Sequence, residues 1–316
     1  MDPICHTLAG AAIGEAGLKQ RTALGMTTLI LAANAPDIDI AVLATGTLQM
    51  YFRRGWTHGV LAMAVLPILL TGLMLAWDRW VRQRRADPPP PAKARGLLLL
   101  AYVGTLSHPF LDFLNSYGVR LLKPFSDRWF YGDALYIIDP WMYLLLGGGV
   151  LAARWGARRG EGRPWAARTG LAFAACYIAA MLASNVWARH AVEMGLARAG
   201  LADARFMVTP ILVNPFRREV IIDAGDRYER GFVWFEPWPH FRPAGFGVSK
   251  GLEDPAANAA MLSARAQQFL VWSRFPFFVV DRTVKGTRVF LNDYRYADPT
   301  ARNGWAGIAI DLPNAP

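Results

Sequence analysis

The chain has 316 residues, enough for two domains. Hydrophobic residues make up 53% and charged residues 18%, and the mean hydropathy is +0.19. That argues against an ordinary soluble enzyme, where about 25% of residues are charged. The formal charge of +10 would suit a nucleic-acid partner, but much of it falls in two short loops between apolar runs. These are Arg79, Arg82, Arg84, Arg85, Lys93 and Arg95, then Arg154, Arg158, Arg159, Arg163 and Arg168. Such placement is a membrane-topology signal, and no nucleic-acid partner is expected. Cys5 and Cys176 give neither a disulfide framework nor a metal-binding spacing. No basic segment precedes the first apolar stretch, so a cleavable signal peptide is not expected.

In chain order, apolar stretches fall at roughly 4–18, 22–45, 58–77, 96–117, 135–153 and 168–188. The predicted fold is a membrane-embedded all-α bundle of about five to six helices, followed by a small soluble α+β domain. Gly10 and Gly14 in the first stretch have the GxxxG spacing that lets another helix approach closely. With both Arg-rich loops in the cytoplasm, stretch three runs inward, four outward, five inward and six outward. The Pro-rich piece from Asp87 to Pro91 is then a stiff cytoplasmic linker. Beyond about residue 195 the pattern changes: 1–195 reads as the membrane domain and 196–316 as an extracytoplasmic one. Phe206 to Ile222, Gly231 to Phe235, Phe277 to Val280 and Thr287 to Asn292 read as strands. Pro255 to Trp272 reads as one helix capped by Asp254.

Polar groups that are costly in hydrocarbon gather at the outer ends of these stretches. They are His6, Asp37 and Asp39 after Pro36, His58 at the close of Arg54-Gly55-Trp56-Thr57-His58, His108 with Asp112, and Asp139 before Pro140. A carboxylate at the centre of a membrane helix costs about 2.5–3.5 kcal/mol even on the lenient insertion scale. Several together repel unless a cation neutralises them. Imidazole with carboxylate suits zinc, manganese or iron, whereas calcium prefers oxygen alone. His108 and Asp112, four apart, share a helix face. Three His and four Asp exceed one tetrahedral ion, so a dinuclear site is also open. Singly, each has a plainer reading: His6 or His58 as helix-end residues, Asp37 and Asp39 as a turn, Asp139 as a cap. His190 and His240 join no motif and read as surface or structural residues.

The set His6, Pro36-Asp37-Ile38-Asp39, Arg54-Gly55-Trp56-Thr57-His58 and Leu106-Ser107-His108 with Asp112 resembles the YdjM-type family of inner-membrane metal-dependent hydrolases. Ser116 to Phe125 resembles the segment that follows the His/Asp motif there. The resemblance covers about the first 145 residues. It implies a bacterial inner-membrane location and a divalent metal, with His6, Asp37, Asp39, His58, His108 and Asp112 as motif positions. Arg53 departs from the pattern, since relatives often carry His there, and the C-terminal domain is absent from shorter relatives.

The expected function is hydrolysis of a phosphoester or ester in a membrane-associated, lipid-like substrate. Asp39 or Asp112 would take the proton of a metal-activated water, and Arg54 would face the developing anionic charge. His108 lies about 12 residues, or about 18 Å, into stretch four, which sinks the site below the outer headgroups. Two other classes are a non-catalytic metal-containing scaffold and a transporter. The transporter is disfavoured because no repeat is visible and the residues lean to one side.

Overall fold

In a computed structural model of the protein, which describes residues 1–45, 48–283, 286–298, 300, 302 and 304–312, a helical N-terminal region precedes two antiparallel sheets. Helix α1 (Pro3–Glu15) starts where Asp2 accepts the Ile4 amide at 2.9 Å and Pro3 fills the first helical position. A 3-10 turn at Leu18–Arg21 leads into α2 (Gly25–Asn34). There the α-ladder stops, because Pro36 has no N–H to continue it. The chain runs on as a 3-10 segment, Ala35–Thr45, that carries Asp37 and Asp39. A short α3 (Gln49–Phe52) follows, then α4 (Val60–Trp77), α5 (Ala94–Phe113), α6 (Pro140–Arg158) and α7 (Pro164–Arg198).

Among the described residues three helices are long and apolar enough to cross a membrane, Val60–Arg82, Ala94–Phe113 and Pro164–Arg198. In the first of these only 17% of the most apolar window is buried, so its hydrocarbon-like surface faces outward. The first two apolar stretches behave otherwise. With 13 and 10 residues, α1 and α2 are about 20 and 15 Å long, short of a ~30 Å hydrocarbon core. Helix α2 lies against both α1 and α5. A Cβ on Gly10 would come within 2.8 Å of the Leu29 carbonyl oxygen, and one on Gly104 within 2.6 Å of the Ala32 Cβ. Glycine at both positions lets three backbones approach. Pro109 does not break α5, which stays helical from Ala94 through His108 and Asp112.

The chain divides into two compact units, Met1–Ala41 with Arg53–Ser184 and Pro210–Pro215, and Val42–Phe52 with Asn185–Thr209 and Phe216–Pro316. In the second, β1 (Phe206–Pro210), β2 (Arg217–Asp223), β3 (Arg227–Trp234) and β4 (His240–Ser249) form one sheet in that order. A second sheet contains β5 (Pro276–Thr283), β6 (Gly286–Asp293) and β7 (Gly307–Leu312). Val208, Val220, Ile222 and Val233 of the first sheet pack on Ala188, Val192 and Leu196 from the end of α7. The helix expected over Pro255 to Trp272 is two, α8 (Pro255–Met261) and α9 (Ala264–Leu270). Ser263 interrupts it by accepting the Ala266 amide at 3.2 Å as a new N-cap.

Candidate metal centre

Three sequence-distant segments meet at one buried point: the start of α1, the 3-10 segment after α2, and the turn before α4, all against the last turns of α5. His58 and His108 bring their Nε2 atoms to 3.1 Å. Their outer nitrogens fix what those atoms can be. His108 Nδ1 lies 2.6 Å from the Ala33 carbonyl, which only accepts, so Nδ1 carries the proton. Thr57 Oγ1 donates to Asp39 Oδ2 at 3.2 Å and therefore accepts from His58 Nδ1 at 3.0 Å. With both imidazoles neutral, the two Nε2 atoms are bare lone pairs facing each other. Such an arrangement is repulsive unless a cation sits between them.

The remaining donors fit that requirement. Asp112 Oδ2 lies 3.3 Å from His58 Nε2 and 3.4 Å from His108 Nε2, and it is buried with no hydrogen-bond partner among the described residues. Asp37 Oδ1 lies 4.0 and 3.8 Å from the same two nitrogens. A zinc ion with bonds of about 2.0–2.1 Å has tetrahedron edges of about 3.4 Å, close to these separations. His6 joins from α1: its ring stacks on His108 with centroids 3.7 Å apart, and Nε2 is 3.3 Å from Asp112 Oδ1. Neither His6 nitrogen has a hydrogen-bond partner among the described residues. His6 with Asp37 and His108, and His58 with His108 and Asp112, each offer ligand atoms within 4.8 Å of one another. The two sets share His108, whose other nitrogen is engaged by Ala33, so they overlap in one centre.

Around the donors lies a shell that holds them. Asp112 Oδ1 takes Arg54 Nη2 at 3.0 Å and pairs with the Met1 ammonium. Arg54 Nη1 donates to Asn115 Oδ1 at 3.0 Å, its Nη2 donates to the Met1 carbonyl at 3.0 Å, and Tyr117 lies under the guanidinium. Arg54 has φ of 53°, the left-handed region, and is held there by its amide on Asp39 Oδ2 at 2.8 Å and its carbonyl on the Arg120 amide at 2.8 Å. Arg53 reaches the other side, with Nη2 on Asp37 Oδ1 at 2.8 Å and Nε on Asp39 Oδ1 at 3.4 Å. Asp37, Asp39 and Asp112 are balanced by Arg53, Arg54 and the Met1 ammonium, so the shell is formally neutral.

Three expectations change. Asp39 is not presented as a ligand: Oδ2 takes the Arg54 amide and the Thr57 hydroxyl, and Oδ1 faces Arg53. It touches the centre through Thr57 and His58. Arg54 is not open to a substrate anion, being 5% exposed with its fork spent on Asp112, Asn115 and Met1. Asp139 is a helix cap: Oδ1 accepts from the Trp141 and Met142 amides at 3.1 Å, and Oδ2 from the Tyr177 hydroxyl at 3.1 Å. Its aspartate-proline start to α6 was the alternative legible in Asp139-Pro140. Sequence reasoning gave no role to Arg53, Thr57 or Asn115. The first two flank known motif residues, but nothing in the sequence shows that Asn115 folds back to Arg54.

Comparison with known proteins is consistent with this core. Over 121 residues, 38% of the chain, it is 26% identical to the uncharacterized protein YfhP of Bacillus subtilis. That match spans a third of the length of YfhP (33%). No solved structure matches the chain. The family described as YdjM inner membrane protein matches residues 1–190, a stretch that contains every residue of the centre, and the chain therefore belongs to the YdjM inner membrane protein family.

Proposed function

We propose that the protein is a membrane-bound metal-dependent hydrolase that cleaves a phosphoester or ester bond in a lipid-like substrate. The observation that carries this reading is the pair of bare imidazole nitrogens 3.1 Å apart beside an unpartnered Asp112 oxygen. His58, His108, Asp112 and Asp37 would hold one ion, with His6 as a fifth donor; zinc suits the set best, with manganese or iron as alternatives. When bound, the ion would supply Lewis-acid polarisation of the scissile group and lower the pKa of water.

The chain's own residues divide the remaining work. Asp37 Oδ2 is buried and has no hydrogen-bond partner among the described residues, so it replaces Asp39 or Asp112 as the proton acceptor. Arg53, with its side chain 22% exposed, takes over from Arg54 the charge that develops on the substrate. Thr57 and Asp39 hold the His58 ring, and Arg54 with Asn115 holds Asp112. The two Arg-rich loops, taken as cytoplasmic, put this centre at the extracytoplasmic end of the helices, with 196–316 as an outer domain.

Burial of His6, His58, His108 and Asp112 and a donor set of four or more side chains also suit a closed, structural ion, and hence a non-catalytic scaffold. The two readings separate in a hydrolysis screen of phospholipids and simple phosphodiesters, with and without added zinc or manganese. The hydrolase reading expects turnover that vanishes in Asp112→Ala and falls about 100-fold or more in Asp37→Asn. Bound metal without turnover on any substrate would favour the scaffold.

A further inference from the structure

Beside the centre lies a groove of about 570 Å³, within the roughly 300–1,000 Å³ of small-molecule sites. One wall is a stripe of α4, Leu66, Leu69, Leu70 and Leu73, and the other includes Leu31 of α2 and Ile38 of the 3-10 segment. Asp37 and Arg53 also line it. Because α4 begins two residues after His58, its polar end lies at the centre and the leucine stripe leads away. Leu66 is about 9 Å and Leu73 about 20 Å along the helix from Val60.

We propose that this groove seats an acyl chain of the substrate lipid, with Arg53 on the anionic headgroup at its polar end; this rests on the hydrolase reading and names its substrate class. Water does not fill an apolar cleft of this kind. Leu69 and Leu73 are 57% and 67% exposed on a helix apolar enough to span a membrane, so the groove opens sideways into hydrocarbon. The i, i+3, i+4, i+7 spacing of the leucines also suits a partner helix. The charged end at Asp37 and Arg53 beside a leucine stripe matches a polar head joined to an apolar tail, which a lipid has and the apolar face of a partner helix lacks. The polar end sets the headgroup. Arg53 spends Nη2 on Asp37 and Nε on Asp39, while Nη1 makes no hydrogen bond among the described residues and remains for a phosphate or carboxylate.

The test places the full chain in vesicles of phosphatidylglycerol or phosphatidylcholine. Each carries a trace of the same lipid with a photoreactive acyl chain, and adducts are mapped by mass spectrometry. The proposal expects adducts concentrated on Ile38, Leu69 and Leu73, stronger for the anionic lipid. Leu69→Trp should remove them, and Arg53→Gln should cut anionic-lipid labelling about tenfold while the melting temperature holds. Adducts spread evenly over exposed residues such as Ile68, Leu106 and Phe173 would overturn it, as would cross-links to a second copy of the chain. Labelling does not require turnover. Groove adducts without hydrolysis would keep the lipid seat and defeat the hydrolase, and hydrolysis without groove adducts would do the reverse.

Discussion

Adjacent arginines with opposite environments show how little of the site's division of labour is readable from residue type. Arg54 stands inside Arg54-Gly55-Trp56-Thr57-His58, and its fork suits an anion; the fold instead turns it inward onto Asp112 and Asn115. Arg53, one residue earlier, keeps a partly exposed guanidinium on Asp37. A left-handed φ at Arg54 is what sends the two side chains to different places, and no sequence pattern announces it. By contrast His6, Asp37, His58, His108 and Asp112 were legible, because ionisable groups in apolar stretches demand a reason. Thr57 tests the shell around them. Thr57→Ala removes the acceptor that fixes His58 Nδ1–H and should weaken zinc affinity about 10- to 100-fold, measured by competition with a chelator. Thr57→Ser should restore it. Unchanged affinity in Thr57→Ala would show that the His58 tautomer is set some other way.

Among the elements, α5 was the easiest to foresee and the most informative. Its i, i+4 pairing of His108 with Asp112 survives Pro109, as the shared helix face required. Stretch two was harder. An apolar run from 22 to 45 looks continuous, yet Pro36 turns its second half into a 3-10 segment that delivers Asp37 and Asp39 to α5. Strand β4 has no legible pattern in His240 to Ser249, where Pro243, Gly245 and Gly247 read as loop residues. Its pairing with β3 supplies what local propensity lacks. Two substitutions separate scaffold from site at this scale. Gly104→Val pushes a branched side chain into α2 and should cost about 1–3 kcal/mol, read as a lower melting temperature with weaker metal binding. Asp139→Ala removes the α6 cap and should cost about 1 kcal/mol with metal stoichiometry intact; loss of metal there would restore Asp139 to the ligand set.

At the scale of the whole molecule, composition pointed to a membrane, and the family and three apolar helices agree. Composition alone does not fix the number of crossings, since internal helices and spanning helices are both greasy. Alanine- and glycine-rich α1 packs against α2 and α6. The proposed sidedness rests on the Arg-rich loops alone and is testable in cells. In a chain with Cys5→Ala and Cys176→Ala, an impermeant maleimide added outside should label Asp203→Cys and leave Arg84→Cys unlabelled until the cells are opened. The reverse pattern would put the centre on the cytoplasmic side.

Two imidazole nitrogens and a carboxylate oxygen converge at one buried point, and the proposed reason is a cation between them. Elemental analysis of the purified full-length protein tests it most directly, with the folded His58→Ala, His108→Ala double variant measured alongside. The account predicts one equivalent of zinc, manganese or iron per chain in the parent and almost none in the variant. A well-folded parent without stoichiometric metal after incubation with each ion, or a variant that retains the full equivalent, would contradict it.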